Sequence, residues 1–575
     1  MTGAGDRPAA AERAGWLTLA LLLAALTLTA AVADRTRWST LLGDEATYLM
    51  AAESLAWDLD LVYERSDFER FQAHWGRPPE GLILQSGDGG ATLVYGKPFF
   101  YPLFLAPFVR WSPTHGPFVA NALLLAAAGW LAAAALRRRV GAAAPWWMAA
   151  LLFASVAFTY VYWAHADLFL ACLTALGLTL LFSDRPGAVR WAVAGALLCA
   201  VAFSRPLYAP LLAAAALAPA PRGRVRAVAA LAAGALLLAG VGVAVHQATA
   251  GAWTAYGAER GGFYTSTGFP DVDFHPAEWQ EALGRAGNMA WGGWIVGDAG
   301  PQWVRTGTSN LLYLLVGRHV GLLPYFLPLL LPLLSGPRGA ARWALLAAVA
   351  VSLGAVLVLR PFNFYGGGAA IANRYFLPLY PALWFVASRP RRALWAGLAT
   401  LAAAPFLWHL WLQGPSDPRR ADNTWRYPTA VAERWLPYET TQSHLKPSGQ
   451  EDIIHNGLWL KPLSRSLRIV DRRRLALLPG TTGEVLVGRE RPLATLGLQV
   501  LSPAGSRLEI VAGARVTPTG DSDLYLLDPG EPTGSHSMWW TSDPFYTYRL
   551  RFRFEGSQEP TLFLLRPAAT AFDLW

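Results

Sequence analysis

GPFVANALLLAAAGWLAAAALRRR, residues 116–139, reads as a membrane crossing: an apolar run over 116–136 closed by three arginines. About 20 residues of helix span the ~30 Å hydrocarbon layer, and backbone polar groups in lipid must be satisfied within the helix itself. Working outward, blocks of the same kind recur near 15–33, 146–164, 166–183, 188–203, 206–219, 226–246, 309–334, 341–359, 374–388 and 392–412, which makes eleven predicted spans in all. Over the 575 residues, 54% are apolar or aromatic and only 15% are charged, where soluble domains carry roughly 25% charged residues. The fold class is therefore a polytopic α-helical membrane protein, not an ordinary soluble enzyme.

The arginines predict the orientation. With Arg7 and Arg13 on the cytoplasmic side, the same side receives Arg137, Arg138 and Arg139; Arg185 and Arg190; Arg222, Arg224 and Arg226; Arg338 and Arg342; and Arg389, Arg391 and Arg392. The short loops opposite hold only Arg205, Arg360 and Arg374. The positive-inside rule then places the N-terminus in the cytoplasm and the long loops outside, and the Ala- and Arg-rich, Lys-poor composition suggests a bacterial plasma membrane. The net charge of +9 thus reports topology, and with three lysines and no long basic stripe it implies no nucleic-acid partner. The first block lacks a clear small-residue cleavage site and leads into further spans, so it is read as an uncleaved first helix. Cys172 and Cys199 both fall in apolar blocks and form no disulfide framework or zinc set.

The predicted organisation is a cytoplasmic N-terminus at 1–14, a membrane domain at 15–412 with outer loops 34–115 and 247–308, a linker at 413–455, and an extracytoplasmic β-rich domain at 456–575. In that last region EVLVG, RLEIVAGARVTPT and YRLRFRFE alternate apolar and polar residues between Gly, Pro and Asp turns, as half-buried antiparallel strands do. Tyr548, Leu550 and Phe552 fall on one face, Arg549, Arg551 and Arg553 on the other. A sandwich-like β domain follows. In the first loop, 98–111 is apolar but short and broken by proline, which predicts an interfacial segment.

The first outer loop opens with LLGDEATYLMAAESLAWDLDL, residues 41–61. It predicts an amphipathic interfacial helix with Tyr48, Leu49, Ala52 and Leu55 on one face and Asp44 and Glu45 at its N-terminus, where the helix dipole favours ionised carboxylates. Such a pair is either a solvated cap or a general base toward a hydroxyl. A later short loop, YWAHADLFL, puts His165 and Asp167 at the mouth of two spans.

The order of an Asp-Glu pair, DEATYLMAAESL, DLDL and GKPFFYP, with the later NFYGGGAAIANRYFLPLYP, resembles the GT-C class of integral-membrane glycosyltransferases, closest to the protein O-mannosyltransferase and aminoarabinose-transferase branch. The resemblance implies a polyprenyl-phosphate sugar donor, an envelope glycan, lipid or protein acceptor on the outer face, and inversion at the anomeric carbon. It makes Asp44 the general base and Glu45 its immediate partner. It also implies an acidic D-x-D or E-x-D element where this chain has His165 and Asp167. That departure leaves two readings open: ligands to a divalent cation (Mn²⁺ or Zn²⁺ more readily than Mg²⁺), or a surface turn between helices.

Cations on the outer rim are the candidates for the donor phosphate: Lys97 in YGKPFFYP, Arg205 in FSRPLYAP, Arg318 in VGRHVGLLPYF and Arg374 in NRYFLP. Guanidinium groups bind phosphate in bidentate fashion, or snorkel to lipid headgroups. Gly366, Gly367 and Gly368 are either a close approach for a ligand or a flexible turn. The aromatics of 247–308, among them Trp253, Tyr256, Trp279, Trp291 and Trp294, read first as an interfacial belt. The main alternative function is a transporter or flippase, which should place ionisable groups near helix centres. Here they gather at the outer ends.

Overall fold

The computed structural model describes residues 10–33, 41–182 (without 42 and 89), 187–218, 223–286, 303–412 (without 337, 362–363, 367–371 and 390–391) and 429–437, and the strands of 453–565 with their shorter connections. They form two compact units. The larger takes in 1–292, 322–356 and 372–420, and the other 293–321, 357–371 and 421–575.

The larger unit is a multi-pass helical membrane domain. Four of its helical stretches are individually long and apolar enough to cross a bilayer: α1 (Ala10–Val32), α10 (Arg224–Ala250), α15 (Ala340–Leu359) and α17 (Leu394–Leu412). A fifth, Gly116–Phe153, joins α5 (Gly116–Val140) to α6 (Ala144–Phe153) through a 3₁₀ turn. Several predicted spans are not single helices. The 146–164 block stops at Phe153, because the Ser155 hydroxyl donates to the Leu151 carbonyl (2.7 Å) and accepts from the Ala157 amide (3.2 Å), starting a 3₁₀ segment over Val156–Tyr162. The 309–334 block is divided between the two units, and its second half is cut by Pro324, Pro328 and Pro332 into α13 (Leu322–Tyr325) and α14 (Leu330–Ser335). The 374–388 block keeps only α16 (Tyr380–Trp384), with Pro381 in its first turn. Shorter apolar helices α7 (Ala166–Leu181), α8 (Ala188–Ser204) and α9 (Ala209–Ala215) complete the bundle.

Helices α8 and α10 meet backbone to backbone. A methyl group built on Gly195 would lie 2.0 Å from the Leu231 carbonyl oxygen, and one on Gly234 would lie 1.9 Å from that of Ala192. Small residues at a membrane helix interface allow this approach and the van der Waals contact that drives association in lipid. Gly234→Val is therefore expected to force the pair apart and to cost about 1–3 kcal/mol, the usual penalty of overpacking. Thermal unfolding in detergent checks it, and an unchanged midpoint would refute the packing.

The first outer loop folds around α2 (Asp44–Trp57), which is not the amphipathic surface helix expected. Residues 45–54 are buried on every face, Glu45, Thr47, Glu53 and Ser54 included, because α3 (Arg65–Trp75), β1 (Leu82–Ser86) and α4 (Phe100–Trp111) pack around it. Two of these polar groups find partners within the shell: Thr47 Oγ1 accepts from the Ile83 amide (2.9 Å), and Glu53 Oε1 accepts from Trp75 Nε1 (3.2 Å). β1 is the centre of a three-stranded antiparallel sheet with β2 (Val94–Tyr95) and β3 (Glu259–Phe263), so strands from both long loops join. The 98–111 segment is helix α4, with Leu103 and Trp111 exposed.

In the other unit, α12 (Trp303–Val316) and α18 (Ala430–Trp435) accompany two antiparallel six-stranded sheets. One holds β4 (Ile453–His455), β5 (Leu458–Pro462), β8 (Thr482–Arg489), β10 (Arg507–Ala512), β13 (Gly534–Ser537) and β14 (Pro544–Glu555). The other holds β6 (Leu467–Asp471), β7 (Arg474–Leu477), β9 (Leu496–Leu501), β11 (Arg515–Pro518), β12 (Leu524–Asp528) and β15 (Thr561–Leu565). Tyr548, Leu550 and Phe552 of β14 are buried on the face the alternation predicts. Strands of the two sheets approach one another at Gly483, where an added methyl would meet Leu477 at 2.9 Å and Leu467 at 3.1 Å. Most of the 413–455 linker lies outside the described residues.

Candidate active site

Gly43 adopts φ 61°, a conformation open to glycine, and its amide donates to the Glu80 carbonyl (2.6 Å), so that α2 begins at Asp44 with its carboxylate free of the helix. Oδ1 lies 2.5 Å from Lys97 Nζ, and Oδ2 lies 2.8 Å from His165 Nε2 and 3.4 Å from Arg374 Nη1. Three residues far apart in sequence thus meet on one carboxylate. Lys97 is delivered by the turn after β2, in which the Gly96 amide donates to the Ile83 carbonyl (2.9 Å).

His165 stands at the N-cap of α7, with its Nδ1 3.3 Å from the Asp167 amide nitrogen. The loop before it is clamped from two sides. Asn121 donates to the carbonyls of Val161 (3.3 Å) and Trp163 (3.2 Å), and Glu45 Oε1 accepts from the Ala164 amide (3.2 Å). The adjacent carboxylates therefore diverge: Asp44 joins the cations, while Glu45, 3% exposed, holds the loop that presents His165. Asn121 was missed in the sequence, although a lone amide inside the 116–136 block is the sort of polar residue that membrane segments retain for a reason. It is held in turn by the Tyr101 hydroxyl (3.1 Å).

Asp167 is fully buried; Oδ2 stands 2.8 Å from His165 Nδ1 and 3.9 Å from Arg374 Nε, and Oδ1 pairs with Arg205. Arg205 precedes Pro206, which excludes helical geometry at that residue and turns the chain to φ −146°, ψ 103° as α8 ends. Its guanidinium then lies 5.0 Å over the Tyr375 ring, and that of Arg374 lies 5.5 Å over Trp163, so both cations are held on aromatic faces. His165 is packed likewise, 4.4 Å from Trp163 and edge-on to Tyr48 at 5.5 Å.

Three cations surround two carboxylates. The side chains of Asp44 (20% exposed), Arg205 (13%), Arg374 (12%) and Lys97 (11%) reach solvent, whereas those of Asp167 and His165 do not. Burial pushes the Asp44 carboxyl up, but Lys97, the hydrogen bond with His165 and Arg374 outweigh it and hold the group well below the usual carboxylate range. For Lys97 burial wins over the attraction of Asp44, and its ammonium is drawn down to about 8. The site is thus an accessible ionised carboxylate beside cations that can be shared with an incoming anion.

Two solved structures are similar to this chain. The crystal structure of ArnT from Cupriavidus metallidurans bound to undecaprenyl phosphate is 16% identical with a TM-score of 0.39, over 68% of this chain and 64% of that one. The apo form of the same protein is 17% identical with a TM-score of 0.32, over 69% and 64%. The chain thus spans less than two thirds of the length of ArnT. No family model matches the sequence, and no curated protein does.

Arg318 was expected with the phosphate-binding cations. It belongs to the other unit, where its amide donates to the Pro437 carbonyl (2.9 Å), its Nε to that of Leu436 (3.3 Å), and its Nη1 stands 3.8 Å from Glu484 Oε2. Glu484, which also pairs with Arg549, gave no signal in the sequence beyond its place on an alternating strand. His165 and Asp167 fit a divalent cation poorly, since each ring nitrogen already faces a carboxylate oxygen and Asp167 is paired with Arg205. Among the described residues no group of three or more His, Cys, Asp or Glu is arranged to hold a metal. Gly367, Gly368, Trp291 and Trp294 lie outside the described residues. Tyr256, from the aromatic loop, donates to the Ser204 carbonyl (3.0 Å) beside Arg205, and Trp279 is buried.

Proposed function

We propose that the chain is a GT-C-type membrane glycosyltransferase, moving a sugar from a polyprenyl-phosphate donor to an acceptor on the extracytoplasmic face with inversion. The observation that carries this reading is one solvent-reaching carboxylate, Asp44, ringed by Lys97, Arg205 and Arg374 through their contacts with it and with Asp167. In-line displacement at an anomeric carbon needs a base on the acceptor side and cations on the departing phosphate. Asp44 takes the acceptor proton, and Lys97 and Arg374 hold the phosphate, with Arg205 behind them. Glu45 and Asn121 are positioning residues. At rest the cations make Asp44 a weak base; sharing them with the phosphate loosens that hold and raises its basicity as the donor arrives. The arginine distribution supports an outer-face site.

The test is transfer of labelled sugar from polyprenyl-phosphate donors in proteoliposomes. Transfer supports the reading. Solute uptake without transfer would favour the transporter instead.

Lys97 makes this reading pH-dependent. Its ammonium titrates at about 8, so it is charged below that pH and neutral above it. The KM for the donor is expected to rise as pH passes 8, and Lys97→Arg, whose guanidinium stays charged, is expected to remove that alkaline limb. A donor KM flat to pH 9.5 in the unsubstituted chain would count against the phosphate role of Lys97.

A further inference from the structure

The four oxygens of Asp44 and Asp167 are all committed. Asp44 Oδ1 faces Lys97, and its Oδ2 faces His165 and Arg374; Asp167 Oδ1 faces Arg205, and its Oδ2 faces His165 with Arg374 further off. The two carboxylates come from separate elements, the start of α2 and the first turn of α7. Like charges brought together in a low-dielectric site repel unless something binds both. His165 has the shape for this, with Nε2 2.8 Å from Asp44 and Nδ1 2.8 Å from Asp167. Its ring is locked by Trp163 and Tyr48, and Arg374 Nη1 lies 2.8 Å from Nε2.

We propose that His165 is a positioning residue standing where a divalent cation would otherwise bridge Asp44 and Asp167, and that it makes the site metal-independent. A hard divalent ion takes six or more oxygen ligands. Here it would have to displace the pairs of Asp44 with Lys97 and Arg374 and of Asp167 with Arg205, and then sit among those three positive charges. The chain already supplies the neutralising charge as Lys97, Arg205 and Arg374, and the bridge as a ring with one nitrogen toward each carboxylate. The consequence for transfer rests on the function proposed above; the consequence for metal binding does not.

The experiment uses the full chain purified in detergent and titrated with Mn²⁺, with binding read from the electron paramagnetic resonance signal of the free ion, alongside transfer assayed before and after chelator treatment. The unsubstituted chain is expected to take up no stoichiometric Mn²⁺ and to keep its transfer rate within about twofold after chelation. His165→Asp, which replaces the bridging ring by a third carboxylate, is expected to take up Mn²⁺. Stoichiometric Mn²⁺ bound by the unsubstituted chain and lost in Asp167→Asn would overturn the proposal, as would transfer that chelator abolishes and Mn²⁺ or Mg²⁺ restores. Identical titrations of the unsubstituted chain and His165→Asp would overturn it too. The positioning role has its own readout: His165→Asn, too short to span both carboxylates, is expected to lower kcat about 10²-fold, the order of a misplaced reacting group, with the donor KM nearly unchanged. An unchanged kcat refutes that role.

Discussion

Asp44→Asn lowers sugar transfer by about 10²–10⁴-fold, the contribution typical of a general base, and leaves the donor bound. Asparagine keeps the size of the side chain and can still meet His165 and Lys97, but it cannot accept the acceptor's proton. The loss should therefore fall on kcat, with the donor KM changed little, since Lys97, Arg205 and Arg374 remain. Wild-type kcat in Asp44→Asn would remove the base assignment. The same carboxyl carries a pH signature in stability. Its pKa in the folded chain is depressed by Lys97, His165 and Arg374 against the opposing effect of burial. Its ion pairs thus contribute stability above the unfolded value of about 4, and that contribution is lost as pH falls toward the folded value. In Asp44→Asn the acid side of the stability profile should be flatter.

The second large effect is on the fold. Arg205→Gln leaves Asp167, fully buried, without its closest cationic partner. Asp167 then keeps only His165 and the more distant Arg374, and since removing one partner of a buried ion pair costs up to about 3–5 kcal/mol, the membrane domain should unfold at lower temperature. The double substitution Arg205→Gln with Asp167→Asn removes both charges and should recover most of that stability, because what is costly is the buried carboxylate left short of compensating charge and not the absence of the pair. A double variant as unstable as the single one would show that Arg205 acts through its packing on Tyr375 instead. Transfer should be impaired in both.

The membrane architecture was legible from composition alone, because a hydrocarbon layer forces long apolar blocks onto any chain that crosses it. Where that reading went wrong, local chemistry intervened. Ser155 ended the helix inside the 146–164 block by bonding to its own backbone, and three prolines cut 322–335. Helix α2 was misjudged for a different reason: its apolar spacing resembles an interfacial stripe, but α3, α4 and β1 close over every side of it. Spacing along one helix carries no information about what covers its polar face.

The candidate site divides in the same way. By itself the sequence determined the chemical inventory: an Asp-Glu pair after the first span, a His-x-Asp loop, and a handful of arginines and one lysine away from the basic side. Only the tertiary structure decided how these sort. It brought Asp44, Lys97, His165, Asp167, Arg205 and Arg374 together and placed Arg318 with Glu484 in the other unit. It also turned Glu45 away to the Ala164 amide and set His165 between two carboxylates. The physical reason is one of range: apolar periodicity is a local property written along the chain, whereas an ion pair depends on two side chains hundreds of residues apart and on the packing that aims them at each other.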